Sequence, residues 1–595
     1  MTVSGSCTGE KVAFVLWAAL LAGLAVGAVF SVYLASVPEE ALVKQVDELG
    51  FERFASRVNA YTVAMLRRRL RFSAFALGSM FVVCGWSRKI VKKALATGFS
   101  GGRAARHEFV RELKDRIVKE DRLALGALIV VCLVGALVRI SFMGQAVRYD
   151  EAYTFLRYAT RPWYFGVSVY NAPNNHLLYT IVLHILNAFC GGSVYVIRGF
   201  AFVAGVMTIP ATYVAVRRFL DAGPSLLVSA AVAGSSFLIE YSTDGRGYSF
   251  VVLCFLCLLA LGGHAVISNN NFSWALFCVT AVLGFYTVPT MLFPYAAVAT
   301  WLMFSGVELS GRELTRRSRV ILCCTGVVGL LVGVLYLPVM VVSGPNALFA
   351  NRFVSAVPWA DVLRMLPGSL RDSWTLWNRD IPMPVEIVIV GGIVALGFSP
   401  APSKHAVLKL LFSCLLACCG VMLIRPTVPP PRVWTFAVPL YYLAAFAVFN
   451  SRRNGKPLLP LSLFCASAVC LSLVMGGAVV LTRSILRSPE TGTLRDAEKI
   501  ALFFQGRLGP CDTVYATVPS DLPLEYYFWR HGLPQTAVNG TSSCPGSAFV
   551  VLNRTDGQTV EGVCPQGSPC SKRLGEWTPI QEYESASILL AKRFQ

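Results

Sequence analysis

Apolar residues run along this chain in blocks close to the 17–25 residues that a helix needs to cross a hydrocarbon core of about 30 Å. The blocks lie at 12–36, 72–87, 122–143, 194–216, 224–242, 248–267, 272–288, 290–306, 319–342, 384–399, 406–424, 433–450 and 458–482. Two pieces are ambiguous. The run 72–87 is short and flanked by Arg67-Arg68-Arg69 and by Arg88, Lys89, Lys92 and Lys93, so it either crosses or lies in the interface. The piece 177–189 is shorter still. As a full span it would put Arg217-Arg218 outside. As a juxtamembrane helix on the outer face, it leaves Arg217-Arg218, Arg312 to Arg319, Lys404 to Lys409 and Arg452 to Lys456 all on the cytoplasmic side. The second reading satisfies the positive-inside rule and is adopted.

The pattern divides the chain into three. Residues 1–120 form an N-terminal extension with two hydrophobic segments and a basic linker, 121–483 a transmembrane domain, and 484–595 a soluble, extracytoplasmic tail. The first block is too long for a signal-peptide core and lacks a small-residue cleavage site before Pro38, which predicts a retained anchor with a cytoplasmic N-terminus. In the tail the period changes. Short β-type runs at 512–518 and 547–552 flank a helix-like 524–529, which predicts a small α/β domain. The expected fold is an all-α polytopic membrane protein with about 13 transmembrane helices, juxtamembrane helices and that C-terminal domain. No internal repeat stands out.

Composition supports the pattern: 55% of the 595 residues are hydrophobic and 14% charged, which excludes an assembly of soluble domains. The net charge of +20 would suit nucleic acid, but the basic residues are spread over short inter-helix loops and read as topology signals. No nucleic-acid partner is expected. Most cysteines, such as Cys254, Cys257, Cys418 and Cys419, sit in apolar runs as small hydrophobes. Cys511, Cys544, Cys564 and Cys570 stand instead in the polar tail, where an even number suggests disulfides in an oxidising compartment.

Four stretches converge on the outer side in this scheme: 144–193, 243–247, 343–383 and 425–432. The first opens with Asp150-Glu151, adjacent carboxylates at a membrane exit, where desolvating a charge is costly unless the site uses it. A solvated acidic loop start is the plain alternative. Arg246, between Gly245 and Gly247, leaves room for a large anion and offers the side chain best suited to phosphate oxygens; it could equally pair with Asp244 across a tight turn. Arg198, one turn into a span, either meets a partner or snorkels to the headgroups. His176, behind Asn174-Asn175 at a helix start, could bond phosphate or metal or be structural. A polytopic transporter or flippase would also place charges along a substrate path. That alternative predicts interrupted helices in matching halves.

Asp150-Glu151-Ala152-Tyr153, Pro173-Asn174-Asn175-His176 with Tyr179, Arg198 after a Gly-Gly turn, and Arg246-Gly247-Tyr248 together resemble the GT-C glycosyltransferases of the protein O-mannosyltransferase and aminoarabinose-transferase type. The match covers about 120–300; the segment 1–120 departs from it. The resemblance implies a sugar donor on polyprenyl phosphate, entering from the lipid, with transfer at the outer face to a protein hydroxyl or a cell-envelope glycolipid. It implies Asp150 as catalytic base and Glu151 as acceptor-positioning, with Arg198, Arg246 and His176 near the donor phosphate. Asp244 and Asn175 are candidates for a metal or acceptor contact, although no divalent metal is required by the sequence. The expected location is a bacterial inner or plasma membrane. The chemistry fits these groups: a hydroxyl is a poor nucleophile until a carboxylate takes its proton, and arginine stabilises charge arriving on a phosphate leaving group, giving inversion without a covalent intermediate.

Overall fold

The computed structural model describes residues 4–38, 41, 60–86, 105–115, 118–268, 270–305, 311–350, 355–399, 403–450, 452–453, 456–457, 459–490, 492–540, 546–565 and 577–591. Most of the acidic connector 38–66, Arg88, Lys89, Lys92, Lys93, Arg103, Arg116, Arg352, Cys544 and Cys570 lie outside the described residues.

Seven described helices are long and apolar enough to cross a membrane: Arg122–Met143, Val194–Val216, Tyr248–Ser268, Leu314–Val342, Lys404–Ile424, Pro431–Asn450 and Leu461–Arg487. The bent pair Ala222–Gly234 and Ser236–Ser242, angled by 59°, makes an eighth if it is one span. This is an integral membrane protein. Shorter apolar helices at Leu21–Ser36, Asn271–Thr287, Pro289–Phe304 and Met383–Phe398 fall where further blocks were expected. Leu177–Cys190 has 14 residues. Such a helix is about 21 Å long, less than the hydrocarbon thickness.

The helix Arg122–Met143 illustrates how the core forms. Asp121 caps it by accepting from Leu123 N at 2.8 Å. Ala124, Ala127, Leu128, Val131, Gly135, Val138 and Phe142 then recur at helical spacing and are buried, while Leu133 and Leu137 on the far face stay exposed as lipid-facing residues do. A Cβ at Gly135 would stand 2.4 Å from Ile209 Cδ1 and 3.1 Å from Ala233 Cβ, so the glycine is what lets three helices meet. One turn on, the fully buried Arg139 donates to Ala233 O at 3.0 Å, Gly135 O at 2.9 Å and Ser242 Oγ at 3.1 Å. Ser235 takes extended backbone between the two halves of the bent pair, and Arg139 occupies a carbonyl that this break releases.

The tail forms a four-stranded sheet in the order Thr513–Tyr515, Ala548–Asn553, Ala586–Ala591, Trp577–Glu582. The first pair is parallel and the others antiparallel. A parallel pair needs a crossover, and the helix Asp521–Arg530 supplies it. Cys511 and Cys564 each take part in a disulfide bond. This unit shares one hydrophobic core with one end of the helical bundle: Val147, Ala152 and Phe155 pack with Leu524, Phe528 and Phe549. Arg157 grips both carboxylate oxygens of Glu525 at 2.8 and 2.6 Å, and Tyr526 OH donates to Gly192 O at 2.7 Å. The hydrophobic core therefore continues from the helices into the sheet.

Candidate active site

Two consecutive residues on a helix diverge by about 100°, and that separates the two acids. Both lie on the short helix Tyr149–Thr154. Glu151 turns inward and is fully buried, where it accepts from Arg148 N at 2.8 Å, reaching back to the N-cap residue of its own helix, and from Gly245 N at 2.5 Å. Arg198 grips it through Nε at 2.7 Å and Nη2 at 2.6 Å. The other Arg198 hydrogens go to the carbonyls of Met143 and Gln145, both at 2.7 Å, and of Ala146 at 2.9 Å. A guanidinium has five N–H donors, so none is left over. The pair fastens the exit of Arg122–Met143 to the start of Val194–Val216.

Asp150 faces the other way. Its side chain is 14% exposed, against 1% or less for Glu151, Glu240 and Asp244. Asn174 Nδ2 donates to Oδ1 at 2.7 Å, and Arg246 forms an ion pair with Oδ2. Arg246 also lies 5.7 Å from the Tyr248 ring centroid, and its Nε has no hydrogen-bond partner among the described residues. His176 Nδ1 accepts from Gly247 N at 2.8 Å. The ring proton therefore belongs on Nε2, which makes the 3.2 Å approach of Arg246 Nη2 a close contact between donors. Asn175 is committed elsewhere, donating to Gly166 O at 2.8 Å and Val169 O at 2.7 Å and accepting from Thr180 at 2.8 Å.

No protein-family model matches the chain, and no curated protein sequence matches it. Among solved structures, ArnT from Cupriavidus metallidurans bound to undecaprenyl phosphate aligns over 78% of this chain and 98% of its own, with a TM-score of 0.52 and 13% identity. The chain has the fold of this ArnT. The oligosaccharyltransferase AglB from Archaeoglobus fulgidus (13% identity, 71% of this chain, 61% of that one, TM-score 0.40) and the arabinosyltransferase EmbB from Mycobacterium smegmatis (12%, 87%, 49%, 0.36) are more distant. The fold assignment rests on the first.

Within this fold the turn Thr243–Gly247 carries the least satisfied group of the site. Asp244 is fully buried and neither carboxylate oxygen has a hydrogen-bond partner among the described residues. Burial first, and then the charge of Glu151, push its carboxyl from 3.8 up to about 7. Burial would also raise Glu151, but Arg198 outweighs it and holds that carboxyl below the ordinary range. Burial, then Arg246 and Arg432, keep His176 well below its usual value and neutral. Among the described residues no three His, Cys, Asp or Glu side chains gather as metal ligands.

The Asp244 shift has a measurable sign. Its folded carboxyl holds a proton more tightly than the unfolded one, so its contribution to stability is full below the unfolded value and declines as pH rises towards about 7. Asp244→Asn is therefore expected to flatten the pH dependence of the melting temperature in detergent between about 4 and about 7. Parallel profiles for variant and wild type would show that Asp244 does not titrate there.

Several residues were missed at the sequence level. Asn174, not Asn175, reaches Asp150. Glu240, which sits inside an apolar block, receives Arg148 Nη1 at 2.8 Å and Arg379 Nη2 at 2.5 Å. Arg432 meets Glu490 at 3.0 Å. The signal for Glu240 was an acid within a span, which seldom stands without a partner.

Proposed function

We propose that this protein is a membrane glycosyltransferase that moves a sugar from a polyprenyl-phosphate donor to a hydroxyl acceptor on the outer face of the membrane, with Asp150 as general base. The observation that carries the reading is a contrast in exposure: Asp150 keeps a face open to a substrate, whereas Glu151, Glu240 and Asp244 are buried and the part-exposed Glu490 is taken by Arg432 and Tyr241. The fold is that of ArnT, whose structure holds undecaprenyl phosphate.

Asn174 orients Asp150, and Arg246, with Nε still free, receives the donor phosphate as negative charge grows on the bridging oxygen. His176, neutral, fixes the turn that presents Arg246. Glu151 and Arg198 hold the site's framework, since their polar atoms are used within the chain. Asp244 faces the acceptor or a cation. The acceptor class is a protein hydroxyl or an envelope glycolipid, the donor enters from the lipid, and the C-terminal unit lies outside with the N-terminus in the cytoplasm. The reading takes about 13 crossings, with the shorter apolar helices and Ala60–Trp86 spanning as well, in a bacterial inner or plasma membrane. Against a transporter stands the finding of one bent pair among the described helices, without a match in another half.

The test is turnover of radiolabelled polyprenyl-phosphate sugars by the purified protein with envelope extract as acceptor. Arg246→Gln is expected to raise the donor KM roughly 10–100-fold, the value of a lost charged hydrogen bond. A wild-type protein that neither transfers label nor binds donor would overturn the proposal.

A further inference from the structure

The segment that leaves the last span runs across the start of the acidic helix before it enters the C-terminal sheet. Ile485 O accepts from Arg148 Nη2 at 2.9 Å and Glu490 O from Arg148 Nη1 at 2.8 Å. Gly492 O accepts from Tyr149 N at 3.0 Å, and Thr493 bridges to Arg148 as a short antiparallel pair. On its other side Thr493 O accepts from Asn553 Nδ2 at 2.9 Å, in a strand of the C-terminal sheet. The backbone on which Asp150 stands is thus stitched to the tail by a strap whose bonds are made on both edges.

One side chain of the strap points the other way, into the wall of the site. The Glu490 carboxylate accepts from Arg432 Nη1 at 3.0 Å and from Tyr241 OH at 3.1 Å. Tyr241 packs edge-on against Tyr248 at 5.2 Å, and Tyr248 in turn lies against His176 at 5.2 Å and beneath Arg246. Arg432 follows three prolines, is about one third exposed, and its charge acts on His176. An arginine with that freedom has many rotamers, and a single carboxylate contact selects one of them. Glu490 stands where the loop before Val438–Phe446, the bent pair and the C-terminal unit meet.

We propose that Glu490 is a positioning residue, which aims the Arg432 guanidinium at the donor phosphate opposite Arg246, so that docking of the C-terminal unit completes the phosphate-binding pair. The inference rests on the glycosyltransferase reading above. Arginines on two sides of one phosphate would share its charge as the sugar bond breaks, and only one of them, Arg246, is held by the membrane domain alone. The C-terminal unit then acts on the donor without touching it.

The experiment uses the full-length protein in nanodiscs, with undecaprenyl phosphate as binding probe and a polyprenyl-phosphate sugar as substrate. Glu490→Gln keeps the backbone carbonyl that holds Arg148 and removes the charge that holds Arg432. It is expected to weaken probe binding and raise donor KM about 5–20-fold, with kcat changed by less than about threefold and the melting temperature unchanged. Glu490→Asp should recover part of the loss. Arg432→Gln should reproduce it, and the double variant should be no worse than either single one. Wild-type KM and probe affinity in Glu490→Gln would overturn the inference, as would additive losses in the double variant. A melting-temperature drop with kcat and KM falling together would assign Glu490 a purely structural part and overturn it also. If wild type binds the probe but turns over no sugar, the glycosyltransferase reading fails while the binding comparison still decides the role of Glu490 in phosphate recognition.

Discussion

Asp150→Asn is expected to lower kcat by about 10²–10⁴-fold, or about 3–5 kcal/mol of transition-state stabilisation, while leaving donor binding intact. The substitution conserves shape, and the new amide oxygen can still accept from Asn174 Nδ2, which sits 2.7 Å from Oδ1 in the wild type. What is lost is the basic oxygen and the charge that now pairs with Arg246. Donor affinity should hold or improve slightly, because Arg246 no longer divides its charge between Asp150 and the phosphate. Single-turnover transfer of labelled sugar, read beside equilibrium binding of undecaprenyl phosphate, separates the two effects. Transfer at the wild-type rate would remove Asp150 from the mechanism; weakened binding with an unchanged chemical step would recast it as a donor contact.

Arg198→Ala should be the most destabilising change at the site, costing about 3–5 kcal/mol, the usual loss when one partner of a buried ion pair is removed. Glu151 would keep only its two backbone donors, from Arg148 and Gly245, and three carbonyls at 143, 145 and 146 would lose theirs. Arg198→Lys should rescue little, since an ammonium has three hydrogens and no planar fork. Thermal and denaturant unfolding in detergent test this directly. The result also decides between two uses of Arg198. A positioning role predicts lost stability and lower kcat with donor KM little changed. A role at the donor phosphate, as the family resemblance implies, predicts the reverse: normal stability and a raised KM.

The positions of the membrane helices were legible in the sequence because hydropathy is a local property and the blocks are long. Asp150, His176 and Arg246 were legible for a related reason: each stands at a turn on the same predicted side, so topology alone brought them together. Which partner each would choose was not. Asn174 and Asn175 differ by one position, and the helix start at Leu177–Cys190 decides which amide faces Asp150 and which faces the carbonyls of Gly166 and Val169. Arg198 looked available because its five acceptors come from a loop and an acid that no short-range pattern ties to it. Glu490 and Arg432 lie 58 residues apart and meet only because the strap crosses the wall. In the tail, the strand and helix periods were visible, but the apolar face of Asp521–Arg530 gave no hint that its counterpart would be Phe155 of the membrane domain.

Because Val147 and Tyr527, 380 positions apart, belong to one core and share a hydrogen bond of 3.2 Å, the chain is made in an order that delays its own completion. At about 5–20 residues per second, a ribosome takes about 20–80 s to travel from the one to the other. Helices inserted during that interval can pack by their glycine contacts and can hold Asp150 and Glu151 through Asn174, Arg198, Gly245 and Arg246, but the apolar side of the segment, Val147, Ala152 and Phe155, lacks its partners until the tail has folded. Quality control during biogenesis would therefore see a bundle with one unfinished surface, and the core around Asp150 would close in one late step rather than helix by helix.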